Sequence, residues 1–374
     1  MRTRSILTLS AAAVLAATAA IAAPAAAAPA PGAPETRASG LPSPLGLAVA
    51  TDGRAIVSGN FAGLLSGVDK KGGTSTLVAA PGEEISAPAI AGSTVYYMRG
   101  GHDHVVAGLY ALKNGTSTLV ADLAGYEASE NPDAVNTYGF SDLTPECEAQ
   151  FTGFPPFPPL GEPHYTGIVD THAYGATVVD DTVYIADAGA NAILAVEDGD
   201  VSTVAVLPPS APIIVPPGFG SQYGWPACVA GHGYRTEPVP TDVELGPDGW
   251  LYVTSLPGGE ESPAFGPRGT VVKVNPETGE IVPVASGFNG ATNLAVAPNG
   301  TIYVSELFGG PEGAGQVAIV APGANQATGV IDVAMPAAVS VRAEQLYITT
   351  EALSEEGGKL TVVPLKGTAN SRRG

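Results

Sequence analysis

Charge is scarce in this chain, and positive charge is scarcest. Only 14% of its 374 residues are charged, and 16 Lys and Arg face 36 Asp and Glu, for a formal net charge of −20. Such a surface repels nucleic acid and anionic membranes, which argues against DNA, RNA or lipid-headgroup partners and leaves cations, basic partners or neutral ligands. Cysteine is nearly absent: Cys147 and Cys228 allow one bridge and no disulfide-stapled scaffold. There is no G-x-S-x-G elbow, H-E-x-x-H, P-loop or C-x-x-C, so a serine hydrolase has little support. Long helices are also excluded, because 48 Gly and 34 Pro give a turn-rich, strand-rich composition. Disorder is excluded in turn, since 45% of the residues are hydrophobic and come in blocks.

The first segment, "MRTRSILTLSAAAVLAATAAIAAPAAAAPAPGAP", reads as a secretory leader. Arg2 and Arg4 make the charged region, Ile6 to Ala23 is apolar and Ala-rich, and small residues follow. Cleavage after Ala27 fits, because Ala25 and Ala27 are small and Ala28 is not proline. A retained anchor is the alternative, but the run ends in processing signals rather than a stop-transfer flank. With no cysteine nearby, a lipoprotein is excluded, and no later stretch is long and apolar enough to span a bilayer. Residues 1–27 are thus read as signal peptide, 28–366 as one domain and 367–374 as a disordered tail. Cleavage removes two arginines and makes the mature chain more acidic still. A secreted, extracellular monomer is expected.

"VPTDVELGPDGWLYVTS" at Val239 is echoed by "GATNLAVAPNGTIYVSE" at Gly290. Six copies of the phrase can be found: an apolar strand, a turn, an apolar strand ending in Ser, Thr or Asp, a Gly-rich loop, then a Val-rich strand. They begin at "PLGLAVATDG", "APAIAGSTVYY", "AYGATVVDDTVYI", "PTDVELGPDG", "ATNLAVAPNG" and "PAAVSVRAEQ". In Pro247-Asp248-Gly249, proline presets φ at the second turn position and glycine takes the left-handed one; Thr51-Asp52-Gly53 and Pro298-Asn299-Gly300 repeat that chemistry. A period of about 40 residues with four strands per unit is the signature of a β-propeller, and six units imply an all-β, six-bladed one. A β-sandwich, the main competitor, gives no reason for the phrase to recur. The sixth copy ends after three strands, near Leu365. "ETRASGL" before the first copy matches "VPVASGF" before the fifth, so residues 35–41 are expected to supply the outer strand of the last blade and remove an exposed edge.

These phrases, with "HAYGATVVDDTVYIADAGANAILAV", resemble the ScyD/ScyE family of secreted proteins, which usually reads close to N-P-Y-G-x-A followed by D-A-G-x-N at that point. The resemblance covers most of the mature chain. It implies a six-bladed propeller akin to NHL-repeat and gluconolactonase-like proteins, and it implies no settled activity. The chain departs from the pattern with His172 where Asn is usual, and with two cysteine-bearing insertions.

Strands in a blade alternate in direction, so loops between second and third strands share a face with the crossovers between blades. The longest irregular segments, near 125–169 and 208–238, fall on that face, as do the loops "GGHDHVVAG", "PGGEESPAFGPRG", "FGGPEGAG" and "ALSEEGG". Long loops on a rigid scaffold are the default place for binding or catalysis. At the rim, second strands end in Asn60, Arg99, Asp187, Ser255, Glu306 and Glu351, and first strands begin near Ser43, His172, Thr241 and Asn293. Asn60, Arg99, His172, Asp187, Thr241, Asn293, Glu306 and Glu351 are therefore the candidate ligand-binding set. Six-bladed relatives often hold a divalent cation with oxygen ligands there. Asp187, Glu306, Glu351 and Asn293 are the candidates for it, with calcium the expected ion; alternatively these residues simply solvate a water-filled channel. The two imidazoles of "HDH", His102 to His104, lack a recognisable third ligand and read as a solvated turn. "GFPPFPPL" from Gly153 reads as a packed lid, with a polyproline II docking segment the alternative. Cys147 and Cys228 lie in the two insertions, on one face, in a chain expected to fold in an oxidising compartment, and are expected to form a disulfide.

Two functions remain open. One is a secreted propeller that binds a small molecule or an extracellular protein or polymer through its long-loop face. The other is a metal-dependent propeller enzyme, lactonase-like hydrolase or lyase, with a cation at the channel mouth. The missing motifs do not exclude the second, because a propeller site draws one residue from each of several blades.

Overall fold

A computed structural model describes residues 31–153, 161–259 and 265–365. The leader, most of the "GFPPFPPL" segment, residues 260–264 and the tail after Leu365 lie outside the described residues, and with them the expectations placed on the cleavage site, the lid and the tail.

Among the described residues, seven four-stranded antiparallel sheets carry the fold. Six have the repeat order read from the sequence. Blade 1 is Pro44–Val49, Ala55–Gly59, Leu64–Val68 and Thr74–Ala79; blade 2 is Glu84–Ala91, Thr94–Gly100, Ala107–Lys113 and Thr116–Asp122. Blade 3 is Ala173–Val179, Thr182–Asp187, Ala192–Glu197 and Asp200–Val206; blade 4 is Pro240–Leu245, Leu251–Ser255, Gly269–Val274 and Ile281–Phe288. Blade 5 is Ala291–Val296, Ile302–Glu306, Gln316–Val320 and Gly329–Asp332; blade 6 is Val339–Arg342, Gln345–Thr350 and Gly358–Pro364, completed by Glu35–Leu41. The first strand of each blade packs against that of the next, and blade 6 returns to blade 1. The apolar core is divided accordingly, with one buried cluster between each successive pair of blades. Leu47, Val57, Tyr347 and Leu360 join blades 6 and 1; Val243, Val253, Ile193 and Ala205 join blades 3 and 4. Strands apolar on both faces are needed for this, since each blade is covered on both sides.

The N-terminal strand closes the ring as the repeat phase requires. Glu35 pairs with Val362 and Leu41 with Gly358, with Ala38 and Leu41 buried at the blade 6/1 junction. The turns also follow their sequence. Gly53, Gly249 and Gly300 sit at φ 85°, 79° and 83°. Each donates its N–H back three residues, to Ala50, Gly246 and Ala297. Only glycine takes that conformation without a steric penalty.

The insertions are more ordered than irregular segments would be. Strands His164–Thr166, Thr137–Phe140, Gly233–Arg235 and Ile213–Ile214 make the seventh sheet, which joins both insertions and belongs to none of the inter-blade clusters. Phe140, Trp225, Val229 and Tyr234 form a small core around the Cys147–Cys228 disulfide, whose Cα atoms are 5.9 Å apart. A helix, α1 (Leu123–Glu130), leads into the first insertion, with the Asp122 carboxylate accepting the Gly125 N–H as its N-cap.

Candidate functional site

The crossover from blade 2 to blade 3 ends in Asp170-Thr171-His172, just before the inner strand of blade 3. Across from it Glu84 opens the inner strand of blade 2, and His104 comes from the loop between the second and third strands of that blade, at φ 58°. All lie on the long-loop face. Glu84 is 7% exposed, and its two oxygens each lie 3.2 Å from His172 Nε2. Asn60 Nδ2 donates to Oε1 of Glu84 at 3.3 Å, and Asn60 is itself fixed by a 2.7 Å bond from Ser58 Oγ. The His104 ring stacks on that of His172 with centroids 4.3 Å apart, and its Nδ1 meets Asp170 Oδ1 at 2.9 Å. The Tyr174 ring stands edge-on to His172.

Electrostatics follow from these contacts. Burial pushes the Glu84 carboxyl up, but the His172 hydrogen bond and charge, helped by Asn60 and His104, hold it below the usual carboxylate range. The Asp170 hydrogen bond raises His104 above the ordinary imidazole value against the opposing effect of burial. Burial likewise pushes Asp170 up, and the His104 bond and charge, with the His172 charge and the Thr171 N–H, together more than reverse it. Among the described residues, Glu84, His104 and His172 form the group whose ligand atoms, all within 4.8 Å of one another, come close enough to share a metal ion.

This changes the assignment made from the sequence. Asp187, Glu306 and Glu351 do not meet around one ion. Asp187 is fully buried and used up locally: Oδ1 accepts the N–H groups of His172, Gly189 and Ala190 at 2.7, 3.1 and 3.1 Å, and Oδ2 accepts Thr171 Oγ1 at 2.6 Å. Glu306 accepts the Asn289 N–H and the Gln316 amide, both at 2.7 Å. Glu351 pairs with Lys359. Asn293 Oδ1 takes the Val339 N–H, and Thr241 Oγ1 donates to the Ala291 carbonyl, so both tie one blade to the next. Arg99 forks onto Glu83, beside the site but outside the metal group. The physical reason is shared. At the mouth of the ring each of these side chains is held by groups of its own blade, as Asp187, Glu306 and Glu351 are, or of the next, as Asn293 and Thr241 are, so none is left to meet the others across the axis. Of the residues expected to bind, His172 and Asn60 belong to the site. Glu84 was missed because its inner strand begins three residues before the repeat phrase "APAIAG", ahead of a register shift between Ser86 and Ala89. His104 had been read as a solvated turn for want of a third ligand, which the fold supplies.

The axis itself holds a cavity of about 80 Å³ lined in part by Gly46, Asp242, Glu244, Asn293 and Arg342, which has room for a few waters but not an organic ligand. A larger groove of about 1020 Å³ runs between residues 207–214 and the outer half of blade 4.

No protein-family model matches the chain, and no curated protein matches it in sequence. Solved structures do. The PQQ-bound aldose sugar dehydrogenase of Streptomyces coelicolor superposes with a TM-score of 0.54 at 14% identity, over 91% of this chain and 100% of that one. A Bacteroides thetaiotaomicron structural-genomics protein of unknown function gives 0.52 at 11% identity, over 90% and 76%. The chain is a β-propeller. At such identities the likeness speaks for the fold and not for the chemistry.

Proposed function

We propose that this propeller is a metal-dependent enzyme of the long-loop face, holding one divalent transition-metal ion, zinc by preference, between Glu84, His104 and His172. The observation that carries the proposal is the convergence of two imidazoles and one buried carboxylate from two blades. A donor set of two nitrogens and one oxygen suits zinc better than calcium, which takes oxygen ligands alone. The 3.2 Å from His172 Nε2 to Glu84 is longer than a charge-assisted hydrogen bond. It is close to the roughly 3.3 Å expected between neighbouring ligands of a tetrahedral zinc ion. Asp170 on Nδ1 of His104 is the carboxylate partner that fixes a ligating histidine's tautomer and leaves Nε2 for the ion. Each histidine side chain remains 28% exposed, so substrate can approach.

Three protein ligands leave a position free, where a metal ion supplies polarisation of a carbonyl or activation of water. Hydrolysis or elimination on a small extracellular substrate is the chemistry this supports, in keeping with the leader-like N-terminus, the disulfide and the ScyD/ScyE resemblance. The larger groove favours a second reading, ligand binding without turnover. The test of the first is calorimetry on chelator-dialysed protein, with cobalt as a visible-absorbing stand-in. One ion per chain is expected, lost in Glu84→Gln and in His104→Ala. If none of zinc, cobalt, nickel or manganese binds, the metal-dependent reading fails and the binding function stands.

A further inference from the structure

Behind the histidines lies a second polar cluster that the proposed chemistry does not use. Glu127, on the last turns of α1, is 1% exposed, and neither of its carboxylate oxygens has a hydrogen-bond partner. The Asp170 backbone N–H is close enough to favour its charged form, short of a full hydrogen bond. Four residues on, Asn131 ends the helix in the left-handed conformation. Its Nδ2 donates to the Gly167 carbonyl at 3.2 Å, which fixes the amide orientation, and its Oδ1 is buried without a partner. Asp133 is 1% exposed. Its Oδ2 takes Tyr138 Oη and Asn191 Nδ2, both at 2.9 Å, while its Oδ1 has none. A side chain on Gly167 would collide with that oxygen, so Asn131 and Asp133 converge on the same stretch of crossover.

Four orphaned oxygens thus come from one seven-residue stretch. Left as they are, they are costly: a buried unpaired polar group costs about 1–3 kcal/mol, more if charged. Burial, with Asp187 and Asp133 nearby, pushes the Glu127 carboxyl up to about 8. A cation bound there would satisfy these oxygens and displace the Glu127 proton. All the free donors are oxygens, two of them on one carboxylate, and two carboxylates balance a divalent charge. No nitrogen or sulfur donor is offered, which disfavours zinc. A buried cluster that includes an amide oxygen suits the larger ion that accepts irregular coordination, rather than magnesium with its retained waters.

We propose that Glu127, Asn131 and Asp133 form a buried calcium site that fastens helix α1 to the crossover carrying Asp170 and His172. The ion sits behind the two carboxylates that orient the histidines, Asp170 on His104 and Asp187 on the His172 backbone. It is a separate site from the one formed by Glu84 and the histidines, and it does not depend on that one being occupied.

Calorimetry on the chelator-dialysed mature chain tests it. One calcium per chain is expected, with a rise in Tm that magnesium does not reproduce. Terbium should bind in its place and luminesce, sensitised by Tyr138 against Asp133. Glu127→Gln and Asp133→Asn should each weaken binding about tenfold or more. Glu127→Gln should also fold well, because the amide matches in shape a carboxyl that burial keeps largely protonated near neutral pH in the ion-free chain. The calcium response should persist in His104→Ala, which separates this site from the transition-metal one. The proposal is overturned if wild-type protein shows neither heat nor a Tm shift up to about 10 mM calcium, or if both variants bind calcium undiminished.

Discussion

Replacing Asp187 with alanine should damage both the ring and the site, and the size of the damage can be worked out. The carboxylate accepts three backbone N–H groups, from His172, Gly189 and Ala190, and the Thr171 hydroxyl. Alanine leaves all four donors unpaired in a fully buried place. Each would cost about 1–3 kcal/mol, and water entering the space left behind offsets part, so a loss of about 4 kcal/mol is expected. An unfolding entropy of about 2.1 cal/mol/K per residue makes this a fall in Tm of roughly 6 °C for a chain of this size. The site feels it too, because the His172 backbone is one of the groups released. Scanning calorimetry should therefore be paired with zinc titration, where Asp187→Ala should bind at least about tenfold more weakly. Asp187→Asn is the control. It keeps an oxygen for the three backbone donors and should recover most of the stability and the affinity. An alanine variant melting within about 1 °C of wild type would refute the argument, as would an asparagine variant no better than alanine.

Removing the chain through Leu41 exposes the edge of Gly358–Pro364 and uncovers the blade 6/1 cluster. A loss of roughly 5 kcal/mol or more is expected, read as a large fall in Tm, and an unchanged melting curve would mean the ring closes without that strand. Cys147→Ser opens a loop of 81 residues, for which chain entropy gives about 4.5 kcal/mol. The effect should concentrate in the seventh sheet, as faster hydrogen exchange at residues 137–140 and 233–235 than in the blades. In the axial cavity, burial pushes Asp242 and Glu244 up, Glu244 to about 7. A carboxyl raised on folding holds its proton more tightly in the folded chain, so its contribution is full below about 4.5 and gone above about 7. Denaturant midpoints should fall across that range, and Glu244→Gln should flatten the fall; a slope unaltered by the substitution would put the titrating group elsewhere.

The ring was legible because it repeats. Turns such as Pro247-Asp248-Gly249 mark the hairpins, the strands between them are apolar on both faces, and the match of "ETRASGL" to "VPVASGF" located the closing strand at Glu35–Leu41. The disulfide was legible from compartment and from face. The seventh sheet was not. Ile213–Ile214 and His164–Thr166 are too short to show a period, and the two insertions are joined by Gly139 and Phe140 pairing with Arg235 and Tyr234, far away in sequence. The face of the site was legible and its members mostly were not. Repeat register brings equivalent positions to one rim, but it cannot tell a side chain that faces the site from one captured by the loops and strands beside it. Asp187 and Glu306 were captured; Glu84 and His104 were not.

The location of both proposed sites follows from where the repeat is broken. Blades 4 and 5 keep the phrase intact, and their rim residues Thr241, Thr292 and Asn293 are consumed in tying one blade to the next. Blade 2 departs from the phrase. Its inner strand is extended to open with Glu84, while Ser86 Oγ makes the same tie to blade 3 that Thr241 and Thr292 make, by donating to the Ala173 carbonyl. Glu84, two residues ahead of the tying position, takes no part in that task. At the same junction the chain leaves the ring for the first insertion and returns through Asp170-Thr171-His172, with α1 packed underneath. The insertion thus delivers a histidine against a carboxylate that stands outside the inter-blade tie, and its helix brings Glu127 in behind them. On this account, moving Glu84 back into the common pattern should remove metal affinity while leaving the fold intact, which the Glu84→Gln chain, measured by its Tm alongside its zinc titration, can decide.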